Sequence, residues 1–374
     1  MSIVSYLFQS IFHPSEISAL IQFKFFKPKP ILEIKPENKN KIRCYEFLDK
    51  TSRSFAAVIK ELDDDVRDAK EPLLRSFHET IFQKGWTFTE SGPLEKDRQL
   101  LVEFNVVIDE FLSLSKEFRD IIADIANKMG NGMADYAKDA AHNLYGVKTL
   151  KDFDLYCYYV AGLVGVGLTH LFAESGLESS DLINDTDLSI QMGLFLQKTN
   201  IIRDYLEDLL DGRKFWPKEI WSIYVKDFSD LKEPGYETKA LNCLSSIILN
   251  ALNHAPESLT YMNKLQNKTI FSFCAIPQVM AIATLALMFR NYDTFQKVVK
   301  IRRGESIKIE QWCTVNLPST KVYNKPLKKD WFSQENELLL FIGFSLLAFT
   351  AYLLCFYNWE HFRYDGFEIL KDQI

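Results

Sequence analysis

Apolar residues recur every three or four positions along most of this chain, and that spacing constrains its fold more than any other feature. The segments SFAAVIKELDDDVRDA, LLVEFNVVIDEFLSLSKEFRDIIADIANKM and LNCLSSIILNALNHA all have it. A helix places residues at this spacing on one face, whereas a half-buried strand needs strict alternation, which is scarce here. The sequence therefore predicts an all-α protein, with Pro and Gly residues between its helices.

The charge and the cysteines exclude several classes of function. The formal net charge is -6, and the basic residues are dispersed, so we expect no nucleic-acid partner. The 6 cysteines form no CxxC pair and most lie in apolar runs. That pattern favours reduced, buried thiols over disulfides or a zinc site, and it indicates a reducing compartment.

An uncharged run near the carboxyl end predicts a membrane span. Leu338 to Tyr357 reads LLLFIGFSLLAFTAYLLCFY, and about 20 residues of helix suffice to cross a bilayer. A buried helix of a soluble core is the alternative, although so long an uncharged run is unusual there. Lysines precede the run, and fewer basic residues follow it, which predicts a single-pass tail anchor with the preceding part in the cytosol.

These patterns divide the chain into four parts. The predicted parts are a helical domain at 1–304, a connector at 305–337, the anchor at 338–357 and a short tail at 358–374.

The stretch FLQKTNIIRDYLED, Phe195 to Asp208, puts polar groups into a helix that its Leu and Ile residues would otherwise bury. The polar stripe consists of Gln197, Asn200, Asp204 and Asp208, with Glu207 beside it and Arg203 at its edge. Carboxylates one turn apart can give oxygens to Mg2+, which shares its other positions with phosphate oxygens and water. A solvated face with ordinary charge pairs is the alternative, but amides deep in an apolar helix favour a wet cavity.

Together with the following GRKFWP, this stretch resembles the second aspartate-rich motif of the squalene synthases, in the squalene/phytoene synthase family. Further matching blocks are TSRSFAAVI at 51–59, YYVAGLVGVGL at 158–168, FCAIPQVMAIATLA at 273–286 and VKIRRGE at 299–305. The likeness covers nearly everything from His13 to Glu305. It implies an isoprenoid synthase helical bundle that joins two farnesyl diphosphates through presqualene diphosphate and reduces the product to squalene. It also implies Mg2+ and NADPH as cofactors and a monomer of the endoplasmic reticulum membrane that serves sterol biosynthesis.

The resemblance further implies roles for individual residues. The ligands of Mg2+ and diphosphate are Asp204, Glu207 and Asp208. Tyr159 handles a proton in the first half-reaction, and Phe273 and Gln278 line the pocket of the second. The residues for NADPH or phosphate are Arg53, Arg203, Lys300 and Arg302. The substrate-binding residues are Ser52, Gln197, Asn200 and Arg213.

Two features bear on how the cofactor and the carbocation are held. Gly162, Gly165 and Gly167 do not have the GxGxxG spacing and follow no strand, so they predict close helix packing rather than a nucleotide loop. The faces of Phe271, Phe273 and Tyr159 can each stabilise a desolvated carbocation by up to about 2 kcal/mol. Plain core packing is the alternative for each Phe, and a hydrogen bond that only satisfies the hydroxyl is the alternative for Tyr159.

One departure from the family pattern lies near residue 70. Family members continue from this point into an apolar helix that ends in the first aspartate-rich motif, whereas here Ala69 leads through Lys70 and Glu71 into PLLRSFHETIF. Roughly two dozen residues, about 36 Å of helix, are missing. Asp64 and Asp68 have one-turn spacing, but we interpret DDDVRD as a solvated helix end.

Three hypotheses remain open from the sequence. The first is an active squalene synthase, which the matching blocks favour. The second is a catalytically silent family member, such as a splice form or an incomplete gene model, that at most binds a prenyl diphosphate. The third is a membrane-anchored helical interaction protein without a ligand, which the polar stripe disfavours.

Overall fold

The structure is a computed structural model that describes residues 64–90, 98–138 and 146–316, with some helical residues near the edges of these ranges described by their backbone alone. Within these ranges the protein consists of helices, turns and loops, and none of these residues lies in a strand. The predicted all-α class is therefore confirmed. The predicted anchor, most of the connector, Ser52 and Arg53 lie outside the described residues.

The helices follow one another closely along the chain. The first are α1 (Asp64–Thr80), α2 (Arg98–Val102), α3 (Asn105–Ser113) and α4 (Lys116–Lys138). The next are α5 (Leu150–Cys157), α6 (Leu163–Glu174), α7 (Thr186–Arg203), α8 (Tyr205–Leu210) and α9 (Lys218–Trp221). The last described are α10 (Glu237–Leu252), α11 (Ala255–Lys264), α12 (Lys268–Met288) and α13 (Arg303–Asn316). A π-helical turn, Tyr158–Gly162, joins α5 to α6, and short 3-10 helices occupy Ser180–Asp185, Phe228–Lys232 and Tyr292–Phe295.

Helix α7 is the centre of the bundle. It packs against α5, the π turn, α6, α10, α11 and α12. A helix with neighbours on several sides must be apolar on most of its circumference, and Met192, Leu194, Phe195, Ile201 and Ile202 are all buried. The position of α7 therefore determines where its polar side chains lie within the bundle.

Close backbone contact holds α6 to α7, as the glycine spacing predicts. A Cβ atom at Gly165 would lie 2.3 Å from the Ser189 carbonyl oxygen, so a side chain there would force α6 and α7 apart. A Cβ atom at Gly193 of α7 would likewise lie 2.4 Å from the carbonyl oxygen of Ala161 on the π turn. The prediction of close helix packing is confirmed at Gly165.

The amino-terminal helices differ from the simplest interpretation of their periodicity. The long apolar run from Leu100 to Met129 forms α2, α3 and α4 rather than one helix. Phe104 and Leu114 are buried where the chain turns, and Leu114 is extended, with ψ at 156°. Periodicity continues across these turns because each piece buries its own apolar face.

Helix α1 runs without a break through the point where the sequence departs from the family pattern. Pro72 lies inside this helix, and Leu74 and Phe77 bury its apolar face, which packs along α4. Asp64 and Asp68 are on its first turns, where the backbone alone is described, so their predicted solvated position stays a prediction.

The carboxyl-terminal part of the described chain is helical beyond the predicted domain boundary at residue 304. Helix α13 extends from Arg303 to Asn316 and packs against α12, and its Ile307 and Cys313 are buried. Cys157, Cys243, Cys274 and Cys313 are all free and buried, as predicted for reduced thiols.

Two described helical segments, Leu150–Glu174 and Lys268–Met288, are long and apolar enough to cross a membrane. Core helices of soluble proteins pass the same test, so this finding alone is weak support for a span.

Candidate active site

The candidate site lies where α7 ends and α8 begins. Asp204 interrupts the helix, with φ at −91° and ψ at 14°, so the predicted single helix over Phe195 to Asp208 is two helices. The one-turn relation survives nevertheless, because the Asp208 backbone N–H donates to the Asp204 carbonyl oxygen at 2.8 Å. The break reorients Glu207 and Asp208 without separating them from Asp204.

Aromatic side chains pack around Tyr205 and hold the junction between α7 and α8 in place. Tyr205 is 1% exposed, and its hydroxyl donates to the Phe228 carbonyl oxygen at 3.1 Å. Its ring contacts Trp216 and Phe295, with centroid distances of 5.1 and 4.9 Å. The Trp216 indole N–H also donates to the Ile201 carbonyl oxygen at 3.2 Å, in the last turn of α7. With Tyr205 held inward, Asp204 and Glu207 are partly exposed, whereas Asp208 stays buried.

Three carboxylates, Asp204, Glu207 and Asp208, form what we call the acidic cluster, and each has its own cationic partner. Arg203 donates to both oxygens of Asp204, from Nε at 2.8 Å and from Nη2 at 2.7 Å. Glu207 pairs with Lys300 at 3.0 Å, and Asp208 pairs with Arg213 at 2.7 Å. The structure thus brings together the predicted metal ligands and three of the basic residues predicted for NADPH, phosphate or substrate.

Exposure differs sharply inside the acidic cluster. Asp208 is 7% exposed, and burial raises its pKa to about 7 even though Arg213 stabilises the ionised form. Arg213 is itself held by the Phe215 ring, 5.6 Å from its guanidinium carbon. Glu207 and Lys300 are 42% and 45% exposed, so water reaches that pair freely.

The other members of the polar stripe lie along α7. Asn200 is exposed and Gln197 is half-buried, whereas Phe195 and Ile201 are buried on other faces of the same helix. That division of polar and apolar residues agrees with the predicted stripe.

A buried cation on α7 escaped the sequence interpretation. Lys198 is 1% exposed, lies 2.5 Å from the Asp154 carboxylate and donates to the Asn250 side-chain oxygen at 2.8 Å. Its ammonium also lies 5.1 Å from the centroid of the Phe153 ring. Burial and the positive charge of Lys198 lower the pKa of nearby His254 to about 4. We call Lys198, Asp154, Asn250 and His254 the Lys198 cluster; a lysine in an apolar helix was its only sequence signal.

Tyr159 lies on the π turn, away from the acidic cluster in sequence and in its contacts. It is partly buried, and its ring meets the edge of Tyr136 from α4 at a centroid distance of 6.1 Å. Tyr158 contacts it from the same turn at 5.4 Å. Single π turns inside helices occur frequently at functional sites, because they change which residues face a neighbouring element.

The residues predicted for the second half-reaction lie on α12. Phe273 is 45% exposed and its ring contacts Phe172 edge-on at 6.3 Å, while Phe271 is partly buried. Gln278 is 2% exposed, and its amide donates to the Met192 carbonyl oxygen at 3.3 Å. Gln278 therefore ties α12 to α7, and its side-chain oxygen has no hydrogen-bond partner among the described residues.

Arg302 and the metal donors complete the account of the predicted residues. Arg302 pairs with Glu305 at 3.2 Å. Among the described residues, no three His, Cys, Asp or Glu side chains converge into a ready-made metal site. The acidic cluster still has the right donor chemistry, because Mg2+ commonly uses one or two carboxylates and completes its shell with phosphate oxygens and water.

Comparison with models of known protein families identifies the family of this chain. A family model described as squalene/phytoene synthase matches residues 50–305, more than half of the chain, including every predicted site residue. The chain belongs to the squalene/phytoene synthase family. Its central α7 and the acidic cluster both lie within the matched range.

Individual members of the squalene/phytoene synthase family narrow the assignment. Squalene synthase from Schizosaccharomyces pombe is 51% identical over 322 residues, which cover 79% of this chain and 70% of the relative. Squalene synthase from Yarrowia lipolytica is 45% identical over 328 residues, covering 81% and 74%. The structure of TcSQS in complex with the ligand BPH1237 is similar with a TM-score of 0.67 and 35% identity, covering 83% of this chain and 98% of that one. The predicted helical fold, family, function and enzyme class are confirmed by these similarities.

Proposed function

We propose that this chain catalyses the squalene synthase reaction and that the acidic cluster is its diphosphate-binding end. Two farnesyl diphosphates are joined to presqualene diphosphate, which is then rearranged and reduced to squalene with NADPH. The observation that carries the assignment to this site is the pairing of Asp204, Glu207 and Asp208 with separate cations. Carboxylates and cations alternate over a small surface, so one bound group can be neutralised from several sides.

Asp204 and Asp208 are the proposed Mg2+ ligands, with Glu207 beside them. When bound, the metal supplies positive charge that stabilises the departing diphosphate. The raised pKa of Asp208 supports this role, because a buried carboxylate with incomplete compensation gains from an added cation. Arg213 and Arg203 hold the two aspartates in place, and their guanidinium groups can donate to diphosphate oxygens in forked geometry.

Lys300 and Arg302 are the proposed contacts for the phosphate groups of NADPH, with Arg53 as a further candidate outside the described residues. Lys300 and Arg302 are each 45% exposed, and their carboxylate partners are exposed to a similar degree. Exposed ion pairs contribute little stability, so the basic groups can exchange partners for a phosphate at low cost.

Tyr159 and Phe273 are the proposed aromatic contacts of the reacting chains. Both rings pack edge-on against another aromatic residue, which leaves part of each ring accessible. An aromatic face attracts a carbocation without offering a nucleophile that would trap it. Gln278 is proposed to keep α12, which carries Phe273, in register with α7.

The remaining expectations complete the proposal. The protein is a monomer of the endoplasmic reticulum membrane, with a cytosolic helical domain and an anchor at 338–357. The anchor and the membrane location rest on the uncharged run in the sequence and on the lipid product of the proposed reaction, and the monomeric state rests on the family resemblance.

The test uses the purified full chain with farnesyl diphosphate, Mg2+ and NADPH. Squalene is the expected product, and Asp204→Asn should reduce its formation by about 100-fold or more, because a charge-stabilising contact is lost at the leaving group. Asp187→Asn is the matched control, since Asp187 is an exposed carboxylate in the first turn of the same helix. Folded parent protein that makes no squalene would contradict the proposal and revive the catalytically silent alternative.

A further inference from the structure

Gly132 lies on α4 directly against the ring of Tyr159. A Cβ atom at Gly132 would lie 2.1 Å from Tyr159 Cδ1, 2.3 Å from Cε1 and 2.5 Å from Cγ. Real Cβ atoms essentially never approach another heavy atom within 3.0 Å. The ring therefore occupies the space that any side chain at position 132 would need.

The π turn accounts for the position of this ring. Leu163 donates its backbone N–H to the Tyr158 carbonyl oxygen, five residues earlier, so the turn contains one residue more than an α-helical turn. The wider turn changes the direction in which Tyr159 leaves the helix. Tyr136 and Tyr158 contact the ring, with centroid distances of 6.1 and 5.4 Å, and Gly132 lies directly against it.

No hydrogen bond from the described residues holds the Tyr159 ring in place. The Tyr159 hydroxyl has no hydrogen bond to any residue in the described ranges, whereas neighbouring Tyr136 donates its hydroxyl to the Asp152 carbonyl oxygen at 3.1 Å. The position of the Tyr159 ring thus depends on shape, and none of the described residues occupies its hydroxyl.

We infer that Gly132 is a positioning residue for the first half-reaction: its lack of a side chain lets the π turn hold the Tyr159 ring against α4. The inference rests on the proposed role of Tyr159 and extends it to a residue on another helix. A methyl group at Gly132 moves the ring, and a displacement of about 1 Å at a reacting group can lower a rate about 100-fold.

Gly130 provides a matched control on the same helix. A Cβ atom there would lie 2.4 Å from the Leu74 carbonyl oxygen, so it also meets a close neighbour. Gly130→Ala therefore strains the contact between α4 and α1 without touching the Tyr159 ring. Comparing the two alanine variants separates displacement of Tyr159 from general strain in α4.

The first experiment measures whether Gly132 and Tyr159 are coupled in the folded protein. Urea unfolding is followed for the parent, Gly132→Ala, Tyr159→Ala and the double variant. We expect Gly132→Ala to lower the unfolding midpoint in the parent and to have little effect once the ring is gone. Gly130→Ala should lower the midpoint equally in both backgrounds. An equal effect of Gly132→Ala in both backgrounds would overturn the inference.

The second experiment measures presqualene diphosphate formation by the full chain without NADPH, below the unfolding temperature of every variant. Gly132→Ala should lower kcat about 100-fold with little change in KM for farnesyl diphosphate, because substrate binding is retained while the ring is misplaced. Gly130→Ala should keep the parental kcat. Parental kcat in folded Gly132→Ala protein would overturn the inference.

The two readouts also separate this inference from the function on which it rests. A parent chain that forms no presqualene diphosphate contradicts the proposed function, and the unfolding comparison then decides by itself whether Gly132 positions Tyr159. A coupled pair in an active parent supports both.

Discussion

Two ionic clusters lie along α7 and at its junction with α8, and they differ in how much water reaches them. In the Lys198 cluster the ammonium is 1% exposed and is held by Asp154, Asn250 and the Phe153 ring. At the junction with α8, Glu207 of the acidic cluster and its partner Lys300 are 42% and 45% exposed. The same types of charge are therefore used in two different environments.

This difference in exposure determines which ion pairs can exchange partners. A buried ammonium that loses its carboxylate is left without hydration, so removing one partner is costly. An exposed pair that separates regains water on both sides, so its net contribution is small. The Lys198 cluster is thus suited to holding α5, α7 and α10 together, whereas the acidic cluster is suited to receiving a charged ligand.

The largest expected effect is that of Asp154→Ala. Because it leaves the Lys198 ammonium buried without its counter-ion, we expect the free energy of unfolding to fall by about 3 to 5 kcal/mol, measured by urea denaturation. Lys198→Met is the matched control: it removes the buried charge and keeps most of the volume, while Asp154, 47% exposed, still reaches water. A larger loss in Lys198→Met than in Asp154→Ala would contradict this account.

The next effect tests the buried member of the acidic cluster. Arg213→Gln leaves Asp208 without its close cation, and we expect a loss of about 1 to 3 kcal/mol in the free energy of unfolding. Mg2+ with pyrophosphate should bind the folded state and restore part of the lost unfolding free energy in Arg213→Gln. The same ligands should restore none of the unfolding free energy that is lost in Asp154→Ala. Equal recovery in both variants would show that the two clusters do not differ in access.

A third effect is confined to a pH window. The pKa of His254 is lowered to about 4 by burial and by Lys198, against the opposing charges of Asp154 and Glu257, while an unfolded histidine has a pKa of about 6.5. The unfolded chain therefore binds the proton first, and this contribution to stability is present above pH 6.5 and lost as pH falls toward 4.

Replacing the titrating group should remove that dependence. In His254→Gln, unfolding free energies measured between pH 7 and 4 should fall less than in the parent, at equal ionic strength. Parallel curves for parent and variant would contradict the lowered pKa and, with it, the closeness of His254 to a buried cation.

The smallest expected effect is that of Lys300→Met. Both partners of the Glu207 pair are largely exposed, so we expect the free energy of unfolding to change by less than about 0.5 kcal/mol. Lys297→Met, which breaks the exposed pair with Asp293, is the control and should behave alike. A loss above about 1 kcal/mol in Lys300→Met alone would mean that the pair is shielded from water and would weaken the comparison.

Much of the site was predictable from local sequence. Asp204 and Asp208 are one turn apart in any helix, and Phe195 and Ile201 had to turn toward the core. The helix break at Asp204 was not predicted, because it depends on Tyr205 being drawn inward by Trp216, Phe228 and Phe295. Turns at Phe104 and Leu114 were missed for the same reason, since helical periodicity persists on both sides of a break.

The sequence by itself determined the all-α class, the central polar stripe and the family, because these depend on the spacing and identity of neighbouring residues. Tertiary structure alone decided which charges became buried and which ring filled the space at Gly132. Lys198 meets Asp154, and Tyr159 meets Gly132, across helix contacts between residues far apart in the chain. The physical reason is that burial and close packing are properties of how helices meet, and a helix on its own does not specify its neighbours.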